Sequence, residues 1–452
     1  DPTRSDYTFE YLMERHQLDF HGHEGENALV QEAYGLYALR EKLLEESKEA
    51  KLFSLYETIE LPLVQTLASM ESRGIYANQE TLHLLQAKFR KEVEELEKVI
   101  YDLAGETFNI NSPKQLGVIL FEKLGLPAIK KTKTGYSTDA EVLDLLKDNH
   151  PIVSHVLAYR TVAKLLSTYL DGMESVIAED GRVHTDYNQV VTATGRLSSS
   201  DPNLQNIPVR TEKGKEIRSI FEPGPSYDVL ISGDYSQIEL RILAHLSEDP
   251  ALLKAFREGF DIHRFTASEV LGKEPEGVTS TERSQAKAVN FGIIYGISDF
   301  GLSRDLGITR EEAKAYMEKY FARYPSIQAY MHALIEEARE TGAVRTMYGR
   351  LRDLPEINAK NFNRRSFAER AAMNTPIQGS AADIMKLAMN EVEEALLQGG
   401  YRSRLLLQVH DELVIEAVQE EQEAVERLLK KTMEGVVSLR IPLVVDVHSA
   451  SN

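Results

Sequence analysis

The chain has 452 residues, 42% of them hydrophobic and 27% charged, with no cysteine and a formal net charge of −19. That length implies about two to four packed subdomains, and the composition excludes a disordered chain. No apolar run approaches the ~20 residues that span a bilayer, and the lack of cysteine excludes disulfides and thiolate chemistry while fitting a reducing cytoplasm.

The chain opens on Asp1, as expected of a fragment or processed product, and its polar, acidic start does not read as a signal peptide. Through about Tyr56 the reading is polar loop followed by helix (Ala28 to Glu49). His21, His23, Glu24 and Glu26 lack a helical spacing and read as solvated loop, not as a metal site. From Leu82 the apolar positions Leu82, Leu85, Phe89, Val93, Leu96, Ile100 and Leu103 step by three and four, predicting one long helix with a packing seam. Asn111-Ser112-Pro113 signals a helix start, and Lys130-Lys131-Thr132-Lys133 forms a basic tip. Ile152 to Ile177 predicts a second helix able to return antiparallel to the first. Val229-Leu230-Ile231 reads as a strand running to Gly233-Asp234, and Pro250 to Gln398 as mostly helical. Leu405 to Val409, His410-Asp411 and Leu413 to Val418 predict a β-hairpin with acids at its turn, and Leu443 to Val447 a final strand. These elements give an α+β fold, an antiparallel sheet with helices on one side.

Charge is segregated along the chain. Glu24 to Glu60 holds nine acids and four bases, whereas Arg345 to Arg370 holds seven bases and three acids. An acidic back with a basic cleft is compatible with a duplex nucleic acid despite the net negative charge.

Asp234 and Asp411 are strand-end carboxylates, a donor type that suits Mg²⁺ completed by waters and substrate phosphates. Taken alone, each also reads as a turn-forming aspartate. Arg283, Lys287, Phe291 and Tyr295 recur every fourth residue, a slowly drifting helical stripe roughly 18 Å long. Its cationic end can hold a triphosphate and its aromatic end can stack on a base, although an amphipathic helix with surface cations has the same pattern.

DYSQIELR (Asp234 to Arg241), RSQAKAVNFGIIYG (Arg283 to Gly296) and QVHDELVIEA (Gln408 to Ala417) resemble the three polymerase motifs of family A DNA polymerases. TATGRLSSSDPNLQNIP (Thr192 to Pro208) and NTPIQGSAAD (Asn374 to Asp383) resemble the same family, and the likeness runs in order from about Thr58 to the end. The resemblance implies template-directed addition of dNTPs to a primer 3′-hydroxyl, with pyrophosphate released by a two-metal-ion route. It implies a right-hand architecture with an antiparallel-sheet palm (176–260 and 361–452), helical fingers (261–360) and a helical thumb (58–175), plus a small exonuclease-like remnant (1–57).

By the same resemblance, Asp234 and Asp411 hold two Mg²⁺ ions (Mn²⁺ able to substitute), the Tyr235 carbonyl completes the ligand set and Glu412 supports it. Lys287 and Arg283 grip the triphosphate, Lys287 can protonate the leaving pyrophosphate, and His263 also touches the phosphates. Phe291 and Tyr295 flank the nascent pair, Gln237 joins the nucleotide site, and Glu239 excludes a 2′-hydroxyl. Phe291, lacking a tyrosine hydroxyl, favours discrimination against dideoxynucleotides. Arg196, Asn203, Asn206, Gln378 and His410 are expected at the minor groove or primer end, and Lys164 and Arg370 at the DNA backbone. The expected partners are primer–template DNA and dNTPs, with no membrane, in a monomer of the bacterial cytoplasm or nucleoid. Tyr34-Gly35-Leu36-Tyr37-Ala38 lacks the acid of the family's last exonuclease motif, so no proofreading is expected.

A single-subunit RNA polymerase would share the metal carboxylates, but Glu239 and Phe291-Gly292 argue for deoxynucleotides. A non-catalytic DNA-binding module would need none of Asp234, Asp411, Arg283 and Lys287 together. A metal-dependent nuclease is the third alternative.

Overall fold

The computed structural model describes residues 7–18, 28–132, 135–208 and 211–450. His21, His23, Glu24, Glu26 and Lys133 lie outside the described residues. The described residues form two compact units, one drawn from the stretch up to Ser72, Tyr187–Ser200 and Pro225–Ala450, the other from Arg73–Asp186 and Asp201–Gly224.

The first unit is built on a four-stranded antiparallel sheet of β1 (Val229–Tyr235), β2 (Arg404–Val409), β3 (Glu412–Ala417) and β4 (Val445–Ala450), in the spatial order β2-β3-β1-β4. In β1 the residues Val229, Ile231, Gly233 and Tyr235 are buried while Asp234 faces outward, the alternation of a sheet covered on one face. Five helices of this unit bear on the site: α1 (Ile238–Ser247), α2 (Ile262–Leu271), α3 (Ser280–Ile294), α4 (Phe362–Gln398) and α5 (Gln422–Gly435). Helix α5 lies so close under β1 that a Cβ on Gly233 would come within 2.9 Å of Leu429 and 3.0 Å of Met433. Glycine is therefore required beside Asp234, and the Tyr235 hydroxyl locks the same packing by donating to the Met433 carbonyl at 2.6 Å.

The expected hairpin is present, with Asp411 at its turn, and Asp234 belongs to the end of β1 instead of following it. The last strand is Val445–Ala450, not Leu443 to Val447. Leu443 is buried as a core residue of the approach, while Asp446 and His448 sit on the strand's exposed side, so apolarity marked burial and set the strand too early, the two ranges sharing 445–447. The stretch from Pro250 to Gln398 is mostly helical, interrupted by the antiparallel pair Ala343–Arg345 and Leu351–Asp353.

The second unit contains the helix Gln79–Ala104, started by Asn78, whose side chain accepts from Thr81 N–H, and stopped by Gly105 at φ +75°. Helix Pro151–Leu165 continues through a π-helical turn at Leu166–Asp171 to Gly172–Glu174, three residues short of the expected Ile177. Gln86 contacts Asp171 and Glu174, whereas Glu97 accepts from Tyr159, so the pairing runs antiparallel as expected. Ser112 caps the short helix Pro113–Gly117 with proline at its first turn. Lys131–Thr132 pairs with Gly135–Tyr136 at the basic tip. Ile75–Ala77 lies between Arg182–Val183 and Phe221–Glu222 in a small sheet absent from the sequence reading.

Candidate active site

The strand register builds the floor of the site. Glu412 and Asp446 are both directly opposite Asp234, so three carboxylates stand in a row on one face of β3, β1 and β4. Like charges directly opposite each other destabilise a sheet, so this row is a feature held for a reason other than stability. The Tyr235 N–H donates to the Asp411 carbonyl at 3.0 Å, which ties the hairpin turn to the end of β1. Burial, then the charges of Asp411, Glu412 and Asp446, pushes the Asp234 carboxyl up to about 6. Burial likewise pushes Asp411 upward, against the opposing pull of Arg196 and His410. Gln237 (φ +55°) and His410 (φ +52°) hold left-handed backbone next to these two aspartates. Such conformations cost on the order of 1–3 kcal/mol each in non-glycine residues and concentrate at functional sites.

The donor set is oxygen only, two carboxylates beside a strand-end backbone. Among the described residues no three histidine or acidic groups converge on one ion position. That combination fits a hard divalent cation completed by substrate oxygens better than a closed structural cage.

Glu239, on α1, is buried and receives two donors: Arg196 Nη2 at 2.5 Å on one oxygen and the Tyr295 hydroxyl at 3.3 Å on the other. Burial raises its pKa, Arg196 pulls against the rise and Asp411 adds to it, which places all three in one electrostatic neighbourhood. Tyr295 ends α3 and also meets the Gln378 side chain. Behind it, Gly296 lies against Arg370 and Met373 of α4, so close that a Cβ there would stand 2.6 Å from Met373 Cε.

Helix α3 begins with a reciprocal capping box between Thr279 and Glu282. One turn in, Arg283 pairs with Asp261 at 2.8 Å, and Lys287 is exposed beyond it. Asp261 also caps α2 by accepting from the His263 and Arg264 N–H groups. His263 is buried, its ring 5.7 Å from that of Phe291. Burial first, then Arg283 and Lys287, holds its pKa down to about 4 against the pull of Asp261.

The structure thus gathers Asp234, Tyr235, Asp411 and Glu412 at the sheet end, Glu239 with Arg196, Tyr295 and Gln378, and Arg283, Lys287 and Phe291 along α3 with His263 of α2 against Phe291. Lys164, Asn203 and Asn206 belong to the second unit, all exposed. The Asn203 side-chain oxygen is occupied there, accepting from the Gln205 and Asn206 N–H groups, and the Asn206 carbonyl accepts from the Tyr169 hydroxyl. Three contributors were missed by sequence reasoning: Asp446, Asp261 and Asn290. Asp446 was hidden by a strand placed too early; Asp261 by its ordinary capping position; Asn290 by lying inside a motif whose stripe was read on another face.

The model of DNA polymerase family A matches residues 79–452. DNA polymerase I of Streptococcus pneumoniae (strain ATCC BAA-255 / R6) is 54% identical over 412 residues, covering 90% of this chain and 47% of that protein. DNA polymerase I of Geobacillus stearothermophilus is 51% identical over 421 residues, covering 93% and 48%. The chain therefore spans about half the length of the curated relatives it matches. The solved POL domain of Pol1 from M. smegmatis, in complex with DNA primer-template and dNTP, superposes with a TM-score of 0.94 at 42% identity, covering 100% of this chain and 79% of that one.

Proposed function

The chain belongs to DNA polymerase family A, and from that membership we propose that it extends a DNA primer on a template, joining the primer 3′-oxygen to the α-phosphorus of a dNTP and releasing pyrophosphate. The observation that carries the reading is the register that sets Asp234 between Glu412 and Asp446, with the Asp411 turn tied to Tyr235. Asp234 and Asp411, with the Tyr235 carbonyl, would hold two Mg²⁺ ions (or Mn²⁺), which when bound supply the charge that acidifies the attacking hydroxyl and stabilises the leaving pyrophosphate.

The chain's own residues bind, orient and discriminate. Arg283 and Lys287 take the triphosphate, Lys287 is placed to donate a proton to the leaving oxygen, and His263 adds a phosphate contact. Phe291 and Tyr295 flank the base pair. Glu239, pinned by Arg196 and Tyr295, closes the space a 2′-hydroxyl would need and cannot swing aside without losing both donors. Gln237 completes the nucleotide pocket, and Arg196, Gln378, His410, Arg370, Lys164, Asn203 and Asn206 contact the duplex. The assignments of palm (176–260, 361–452), fingers (261–360), thumb (58–175) and exonuclease-like remnant (1–57) follow the family's plan, although the 57/58 division falls inside the helical run from Phe53 to Arg73. We place the protein as a monomer in the bacterial cytoplasm, without proofreading by this chain. No helix among the described residues is long and apolar enough to cross a membrane.

Primer extension with Mg²⁺ tests this directly. Wild type is expected to extend a matched primer with dNTPs, to stall on a 3′-mismatch, and to use rNTPs poorly. Asp411→Ala should abolish extension while duplex binding stays within about twofold. Equal use of rNTPs, or full extension by the variant, would sink the reading.

A further inference from the structure

Asn290 is buried in α3, 1% exposed, and its side chain hydrogen-bonds His263 and Thr266. The amide stands 3.1 Å from His263 Nδ1 and 3.1–3.2 Å from Thr266 Oγ1, and the Thr266 hydroxyl in turn lies 3.4 Å from the buried Tyr324 hydroxyl. A buried amide costs stability unless its partners satisfy it, so this chain of four polar groups needs a purpose that an apolar side chain would not serve.

The amide can face His263 in two ways, and the surroundings choose between them. If its oxygen faced the ring, Nδ1 would carry the proton. Nε2 would then present a lone pair to a triphosphate, which repels, or the ring would have to become an imidazolium. Charging it means charging a buried ring beside Arg283 and Lys287, with only Asp261 in favour. If its N–H₂ faces the ring, Nδ1 accepts, the ring stays neutral and Nε2 keeps its proton. The Asn290 amide then donates to His263 Nδ1 and stands 3.1 Å from Thr266 Oγ1 as a second donor, while the Thr266 hydroxyl can donate to the Asn290 oxygen at 3.2 Å and exchange a hydrogen bond with Tyr324.

We propose that Asn290 is a positioning residue that fixes His263 as the neutral Nε2–H tautomer, so that His263 donates a hydrogen bond to the nucleotide triphosphate without adding a third positive charge to Arg283 and Lys287. The inference rests on the phosphate-contact reading of His263. It gives the pocket two cations and one neutral donor. The groups facing the ring are Asp261 from its own helix, Arg283, Lys287 and Asn290 from α3, and Tyr324 through Thr266. Burial holds the Tyr324 phenol protonated far above neutrality.

Nitrogen NMR of ¹⁵N-histidine-labelled protein, with His263 assigned by the His263→Ala spectrum, reads the tautomer directly. The expected result is an unprotonated Nδ1 and a protonated Nε2, unchanged between about pH 5.5 and 8.5. A protonated Nδ1 in wild type would overturn the proposal, and this measurement needs no variant at position 290. Steady-state extension with dTTP supplies the second test. Asn290→Asp puts an acceptor-only carboxylate against Nδ1, so the ring should gain a proton as pH falls. KM for dTTP relative to wild type should then drop about tenfold from pH 8 to pH 6, with kcat moving less. A pH-independent ratio would count against the tautomer. His263→Ala separates the two claims: an unchanged KM would overturn the phosphate contact on which the inference rests, whatever the spectrum shows.

Discussion

At Asp234 the proposed metal-binding role would be held against stability. Its carboxyl is exposed, yet burial of its surroundings and three neighbouring acids raise its pKa from 3.8 to about 6. An acid raised in the fold is favoured in its protonated form, so its contribution is full below the unfolded value of 3.8 and lost as pH rises through about 6. The full shift would be worth about 3 kcal/mol, and screening of an exposed group cuts this to on the order of 1 kcal/mol. Asp234→Asn should therefore be the more stable protein at pH 8 without divalent ions, with the gain vanishing below about pH 4. Urea unfolding in chelator decides it, and a variant less stable at pH 8 would contradict the electrostatic account. Glu239 offers a functional counterpart. Its two donors hold it rigid, so Glu239→Ala should raise UTP over dTTP incorporation by about tenfold or more. No change in that ratio would mean that another group guards the sugar. At this scale the sequence was informative where candidate side chains recur along one helix, as with Arg283, Lys287, Phe291 and Tyr295, which α3 and its C-cap carry. It was silent on Asn290, whose meaning depends on a neighbour on another helix.

At the scale of elements, helices were readable because their signals are local. The seam from Leu82 to Leu103 and the Ser112-Pro113 start each rest on a few residues, and both appear where expected. The short strands Ala343–Arg345 and Leu351–Asp353 were not readable, since three residues are too few to show alternation. What holds that hairpin is equally non-local. Arg350, at its turn end, pairs with Glu60 and with Asp383 of α4 (2.7 Å), while Lys386 of α4, 1% exposed, reaches Glu60 at 2.7 Å. A Cβ on Gly195 would stand 2.5 Å from the Arg350 side chain, so the quartet also seats the loop that carries Arg196. Burial pushes Glu60 upward, but Lys386 and Arg350 outweigh it and hold the carboxyl below the ordinary range. That stabilisation is present above the unfolded pKa and lost as pH falls through the lower folded one. Lys386→Met, leaving Glu60 with half its compensation, should cost about 3 kcal/mol at pH 7 and make the chain less acid-sensitive. A loss under about 1 kcal/mol in urea unfolding would show that the quartet does not hold these elements together.

For the molecule as a whole, the informative quantity is not the net charge of −19 but which cations remain for a partner. The basic run from Arg345 to Arg370 suggested a phosphate-binding surface, and the structure divides it. Arg345 donates to the Ala50 and Gly349 carbonyls, Arg350 sits in the quartet, and Arg352 donates to Thr375. Those three serve the fold. Lys360 and Arg370 are exposed, Arg364 pairs with Glu356 at 3.5 Å, and Arg365 is half-buried against Phe362 and Glu369. Counting bases therefore overstates the charge available to the proposed DNA partner, because a guanidinium committed to a carbonyl or carboxylate releases no phosphate counterion. The distinction is measurable by fluorescence anisotropy of primer–template binding between about 50 and 200 mM salt. Lys360→Ser and Arg370→Ser should each reduce the slope of log K against log salt by about 0.9, weakening binding alike for all sequences. Arg352→Ser should leave the slope alone and lower thermal stability instead. If Arg352→Ser changes the slope as much as Arg370→Ser does, the division between structural and phosphate-facing cations is wrong, and the whole run faces the DNA.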